Sequence, residues 1–324
     1  MSAGGGTKAI IAALGANLGI AVTKLVAWLL TGSSSMLAES IHSVADSGNQ
    51  ALLLLGGKRA DRKATPEHPF GYGRERYIYA FIVSIVLFSL GGLFALYEAY
   101  HKIQHPEAIE DWQWVPIAVL LIAICLEGYS FRTAVHESNQ TRGNASWMQY
   151  IRRAKAPELP VVLLEDAGAL LGLMFALVGV VLTLITGNGV WDGVGTGAIG
   201  LLLVTIAIIL AVETKSLLVG ESATPAAVAK IARAMLDGPG VERIIHMKTM
   251  HLGPEELLVA AKIAVPRTEV AEEVAMHINE TEARIREAMP IARVIYLEPD
   301  IYRPEKAPTA QRAAEEAAAP PITS

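Results

Sequence analysis

Apolar residues along this chain gather into long, nearly uninterrupted runs, and almost all of them precede Gly220. Six runs stand between turn signals, at residues 8–30, 35–57, 77–103, 114–134, 159–186 and 194–218. Each exceeds the roughly 18 residues that cross a hydrocarbon core. The pattern predicts an all-α membrane unit of six transmembrane helices over residues 1–220. After Leu218 the periodicity becomes that of a soluble domain. Thr224, a capping residue, is followed by Pro225 at the first helical position, which opens a helix over 225–236. Residues 241–252 and 257–265 are strand-like and separated by Gly253-Pro254, 270–288 form a helix, and 292–297 a last strand. Residues 221–303 are thus expected to form a small cytoplasmic α+β domain, α-β-β-α-β in order and ferredoxin-like. So small a core favours oligomerisation. Ala, Glu and Pro dominate residues 304–324, which read as a disordered tail.

Composition and charge turn this pattern into an orientation. The chain is 52% hydrophobic and only 18% charged, which places it in the lipid bilayer rather than among soluble enzymes. The second loop carries Lys58, Arg59, Arg62, Lys63, Arg74 and Arg76, and the fourth carries Arg142, Arg152, Arg153 and Lys155; the other loops are uncharged or acidic. By the positive-inside rule the second and fourth loops and both termini are cytoplasmic, and a bacterial inner membrane is the expected location. The first run is long, lacks a small-residue cleavage site and contains Lys24, so it reads as a span and not a signal peptide. A single cysteine, Cys125, excludes a disulfide framework and Cys-rich zinc fingers, and reads as a small core residue. Any metal must therefore be held by histidine and carboxylates. No phosphate-binding glycine loop, catalytic triad or H-E-x-x-H pair is present, and nothing points to an enzyme or to nucleic-acid binding.

Ionisable side chains inside the apolar runs cost at least about 2.5 kcal/mol each near the bilayer centre, and so require a reason. They are Lys24, Glu39, His42, Asp46, Glu98, Glu127, Glu165 and Asp166. Lys24, Glu98 and Glu127 read as structural ion pairs or snorkelling groups near span ends. His42 and Asp46 stand four residues apart, on one face of a helix, where they are able to clasp one cation. Glu39, one turn further out, either attracts cations to an outer vestibule or faces headgroups. Asp46 and Asp166 fall at similar depth when each span is measured at about 1.5 Å per residue. The expected centre is a four-coordinate site between spans two and five, with His42, Asp46 and Asp166 as ligands. Glu165 either completes that set or organises its surroundings, since adjacent helical residues point about 100° apart.

Two stretches, SSSMLAESIHSVADSGNQ with the downstream HPFGYGRERY, and LLEDAGALLGLMFALVGVVLT, resemble the cation diffusion facilitators. The resemblance runs over residues 8–300. It implies a homodimer that exports zinc, or in some members manganese, iron or cobalt, in exchange for protons. It also implies that His42 and Asp46 are the ligands of the second span and Asp166 that of the fifth. The chain departs from the family at Val162, where many members carry histidine, which makes the donor set rich in oxygen and leans toward harder ions. His68 matches an accessory-site ligand whose partners here are Thr65 and Tyr72. In the tail, Lys262 and Tyr296 stand where metal-sensing members carry histidine, so His246, His251 and His277 are expected to be solvated. Protons and metal compete for the same ligands, which suits antiport without ATP. A membrane-bound metal sensor or scaffold is the rival reading.

Overall fold

The structure, a computed structural model, describes residues 4–31, 34–106 and 114–303, with side chains described except at 4–6, 27–28, 30–31, 34–42 and 45. The chain divides into two compact units, Met1–Val219 and Gly220–Ser324. Gly220 takes a φ of 112°, open to glycine and strained for other residues.

The first unit is helical: α1 (Gly4–Thr31), α2 (Ser34–Ala60), α3 (Glu75–Val86), a π segment (Leu87–Leu93), α4 (Phe94–Gln104), α5 (Trp114–Arg142), α6 (Trp147–Arg153), α7 (Glu158–Thr186) and α8 (Val190–Val219). Among the described residues five segments are long and apolar enough to cross a membrane: Thr7–Val26, Glu75–Gln104, Trp114–Arg142, Glu158–Thr186 and Val190–Val219. Six were expected. The missing one is α2, whose 27 residues reach about 40 Å. Its first two thirds carry Ser43, Asp46, Ser47, Asn49 and Gln50, and that polarity lowers its hydropathy. Large apolar side chains point outward from the other helices, among them Ile11, Leu29, Ile185, Leu201 and Val212. A continuous surface of this kind suits lipid, not water.

Three local features depart from the apolar-run reading. The third run is not one α-helix, because Leu87–Leu93 winds as π between α3 and α4. At Gly92 a Cβ would lie 2.6 Å from the Val204 side chain and 3.1 Å from its backbone nitrogen, so glycine is what lets α8 come this close. The fourth run does not stop at residue 134, since α5 continues through the polar stretch to Arg142. A short helix, α6, then starts on a capping box in which Ser146 and Gln149 exchange bonds. Cys125 is exposed on the outer face of α5, not buried as a core residue. The core of the unit is built of Ala9, Ala13, Leu53, Ala80, Val83, Val161, Val162 and Leu210.

The second unit follows the expected order. Thr224 caps α9 (Pro225–Leu236) by accepting from the Ala227 amide at 3.3 Å. After it come β1 (Arg243–Gly253), β2 (Glu256–Ala264), α10 (Ala271–Ala288) and β3 (Val294–Asp300). The sheet order is β1-β2-β3, with β1 antiparallel and β3 parallel to the central strand. A parallel pair needs a crossover, and α10 supplies it. Alternate residues of β2, Leu257, Val259, Ala261 and Ile263, turn inward onto Ile231, Met235 and Ile285 of the helices.

Candidate metal centre

Helices α2, α5 and α7 bring the buried carboxylates together. Asp166 is the ninth residue of α7 and is only 1% exposed. Its Oδ2 accepts from the Ser130 hydroxyl of α5 at 2.6 Å. Its Oδ1 is buried and has no hydrogen-bond partner among the described residues. Next to it, Glu165 has both oxygens occupied: Oε1 accepts from the Asn49 amide and Oε2 from the Gln50 amide, each at 2.9 Å. Gln50 in turn accepts from the Asn17 amide of α1 at 3.2 Å. Asp46 is half-buried on α2, one turn before Asn49 and Gln50.

Glu127 belongs to the same cluster. It sits near the middle of α5, 2% exposed, within electrostatic reach of Asp166, Asp46, Glu165 and Lys24. The expectation of a snorkelling group near a span end is therefore wrong for Glu127, because α5 is longer at its polar end than the apolar run. Lys24 is likewise buried, and its ammonium donates to the Ser43 hydroxyl at 3.2 Å. The side chains of His42 and Glu39 lie outside the described residues. The helix nevertheless places His42 one turn before Asp46. Among the described residues no three His, Cys, Asp or Glu side chains converge as tightly as an ion requires. Asp46, Glu165, Asp166 and Glu127 thus form an electrostatic cluster rather than a closed coordination shell.

The supporting residues were not found from sequence. Ser130, Asn49, Gln50 and Asn17 are polar residues within long helices, and the signal was spacing: Asn49 and Gln50 fall three and four residues after Asp46. Val162 is completely buried among apolar neighbours and supplies no donor.

Elsewhere, charges are paired at the ends of the helices. Arg76 of α3 forms a short ion pair with Glu158 of α7, and Lys102 of α4 reaches Asp192 of α8 at 2.8 Å. In the loop after α2, Thr65, His68 and Tyr72 do come together. The Thr65 and Tyr72 hydroxyls share a hydrogen bond of 3.2 Å, and the His68 ring stands edge-on to Tyr72 at 4.8 Å. In the tail, only His246 of the three histidines is exposed. His251 is 4% exposed, with Nδ1 3.3 Å from the Gly253 carbonyl, and His277 Nδ1 lies 3.3 Å from Glu269. The expectation that all three are solvated fails for His251, which is buried, and in part for His277, which is half-buried beside Glu269.

A bundle of apolar helices around a buried acidic cluster defines a multi-pass membrane protein with an intramembrane polar centre. Residues 10–219 match the model of the cation efflux transmembrane domain. The chain belongs to that family, the cation diffusion facilitators, whose members are transporters. It is 34% identical over 243 residues to the mitochondrial proton-coupled zinc antiporter SLC30A9 of Xenopus laevis, covering 74% of this chain and 43% of that protein. The corresponding human antiporter is 32% identical over 242 residues, covering 74% and 42%. Metal tolerance protein C4 of Arabidopsis thaliana is 26% identical over 258 residues, covering 79% and 56%. The chain thus spans about half the length of these relatives, or less. Both antiporters are mitochondrial by name and lend no support to a bacterial inner membrane.

Proposed function

We propose that this chain exports a divalent transition metal, zinc foremost, in exchange for protons by alternating access. The observation that carries this reading is Asp166, buried to 1% exposure with one oxygen held by Ser130 and the other without a described partner. A carboxylate oxygen in that position calls for a cation or a proton. His42, Asp46 and Asp166 are the proposed ligands, with Glu165 supporting them from α7. Bound metal requires neutral imidazole and ionised carboxylates, so a proton entering the site displaces the ion and needs no ATP to do so. The relatives named as proton-coupled zinc antiporters support both the cargo and the counter-ion.

The proposed topology counts α2 as the sixth span and places the arginine-rich loops and both termini on the cytoplasmic side. The tail domain is the proposed site of homodimerisation. One observation favours a second cargo: Val162, in the core, leaves His42 as the one nitrogen donor beside carboxylates, a set that also suits manganese, iron or cobalt.

Proteoliposomes under an imposed pH gradient test the reading with zinc, manganese, iron and cobalt. Proton-dependent zinc flux is expected from the natural chain and is expected to disappear in Asp46→Ala and Asp166→Ala. Folded dimeric protein that moves none of the four ions would sink the transporter reading in favour of a sensor or scaffold.

A further inference from the structure

We infer that Glu165 is a positioning residue, the α7 half of an amide clamp that sets the separation of Asp166 from Asp46; this rests on the transport reading above. Both oxygens of Glu165 already accept, one from Asn49 and one from Gln50, each at 2.9 Å. The clamp extends to α1, where Asn17 donates to the Gln50 carbonyl at 3.2 Å. Asn17, Asn49, Gln50 and Glu165 are all buried. The bonding sense is fixed by its own consistency. Turning the Gln50 amide over would aim its oxygen at the carboxylate and its nitrogen at the Asn17 donor.

The packing of the helices shows why such a link matters. Among the described residues α2 packs chiefly on α1 and α3, and α7 chiefly on α5 and α8, with little backbone contact between α2 and α7. Two long side chains and one short one therefore bridge the helices that carry the two aspartates. The bridge stands one turn from Asp46 on the α2 side and next to Asp166 on the α7 side. Its donors are neutral amides, so it holds the helices together without adding a cation that would repel the incoming metal.

An exchange of polarity separates positioning from ligation. In Glu165→Gln an amide nitrogen faces an amide donor, and in Gln50→Glu two carboxylates face each other. In the double variant every bond returns: Asn17 donates to Glu at position 50, Gln at position 165 donates to that same carboxylate, and Asn49 donates to the Gln carbonyl. The measurements are the zinc concentration for half-maximal proteoliposome uptake, the maximal rate, and the thermal unfolding midpoint of the purified chain in detergent. Each single variant is expected to raise the half-saturating concentration about tenfold or more, the scale of a lost hydrogen bond to a charged group. Each is also expected to lower the midpoint, and the double variant to recover both quantities.

A double variant whose midpoint recovers while its half-saturating zinc stays that of Glu165→Gln would make Glu165 a ligand and overturn the clamp. Single variants that lose stability alone, with natural half-saturation, would reduce it to packing and overturn positioning. Should the natural chain move no zinc, the transport reading fails by itself. The midpoints then decide the clamp: recovery in the double variant sustains it, and continued loss removes it.

Discussion

The membrane unit and the tail domain both hold clustered carboxylates, and they hold them by opposite means. In the tail, Lys262 lies 2.9 Å from Glu298 and 3.3 Å from Asp300, on neighbouring strands in register and open to water. In the membrane unit, Glu165 is buried and bonded only to neutral amides, and Asp166 to one hydroxyl. Water completes whatever a surface pair lacks, so incompleteness there costs little. A buried carboxylate has no such recourse, and each missing bond carries the whole desolvation penalty. Incompleteness within the membrane unit, as at Asp166, is therefore costly in a way that it is not in the tail cluster.

The sharpest way to break this contrast is at Arg76. Its guanidinium is paired with Glu158, whose side chain is 5% exposed and whose second oxygen has no described partner. Arg76→Met is expected to destabilise the chain by about 3–5 kcal/mol, read as a lowered unfolding midpoint in detergent. Adding Glu158→Leu is expected to recover most of that loss, since the stranded charge is removed with its partner. An unchanged midpoint in Arg76→Met would deny that burial sets the cost.

Ser130→Ala comes next. It strips the described hydrogen bond from Asp166, with an expected loss of about 1.5–3 kcal/mol in metal-free protein. On the transport reading, saturating zinc is expected to narrow that gap, because a bound ion would take over the lone pair that Ser130 leaves. A gap indifferent to zinc would separate Asp166 from the ion. Gly92→Ala is expected to cost about 1–3 kcal/mol by overpacking, since the Val204 backbone cannot retreat.

The smallest effect belongs to Lys262→Gln. Bonds donated to Glu298 and Asp300 hold the Lys262 ammonium above its ordinary 10.5, and bonds accepted from the Ile301 amide, then from Lys262, hold Asp300 below its ordinary 3.8. A raised lysine stabilises below 10.5 and loses that contribution as pH climbs through its folded value. A depressed aspartate stabilises above 3.8 and loses it as pH falls through its folded value. The pair thus contributes between those limits, and Lys262→Gln is expected to shift the midpoint slightly at pH 7, less in high salt, and not at all below the Asp300 transition. A shift as large as that of Arg76→Met would erase the comparison.

What was legible in the sequence follows the same physics. The tail elements declared themselves because a capping threonine before proline and the alternation along β2 are local signals of local structure. The membrane helices were legible by length, but their ends were not. Residues 135–142 are polar yet helical, so α5 ran past its apolar stretch, and Glu127 was placed near an end when it lies near the middle. The π segment left no mark, because Leu87–Leu93 is as apolar wound one way as the other. Asp46 and Asp166 stood out by their cost in lipid. The amides that serve Glu165 did not, since Asn49 and Gln50 acquire meaning only once α7 is beside them. The capping box of α6 is a local signal too, carried by Ser146 and Gln149 three residues apart.

The π segment also has a mechanical meaning. The helix from Glu75 to Gln104 is fastened near one end by Arg76 to α7 and near the other by Lys102 to α8. A rod riveted at both ends cannot lengthen or shorten there. A π turn winds more residues into each turn than an α turn does, so it stores slack in mid-span. With both ends tied, the span is therefore a little shorter for its 30 residues than a continuous α-helix would be, and the side chains beyond Leu93 are turned to a different face than unbroken α winding would give them.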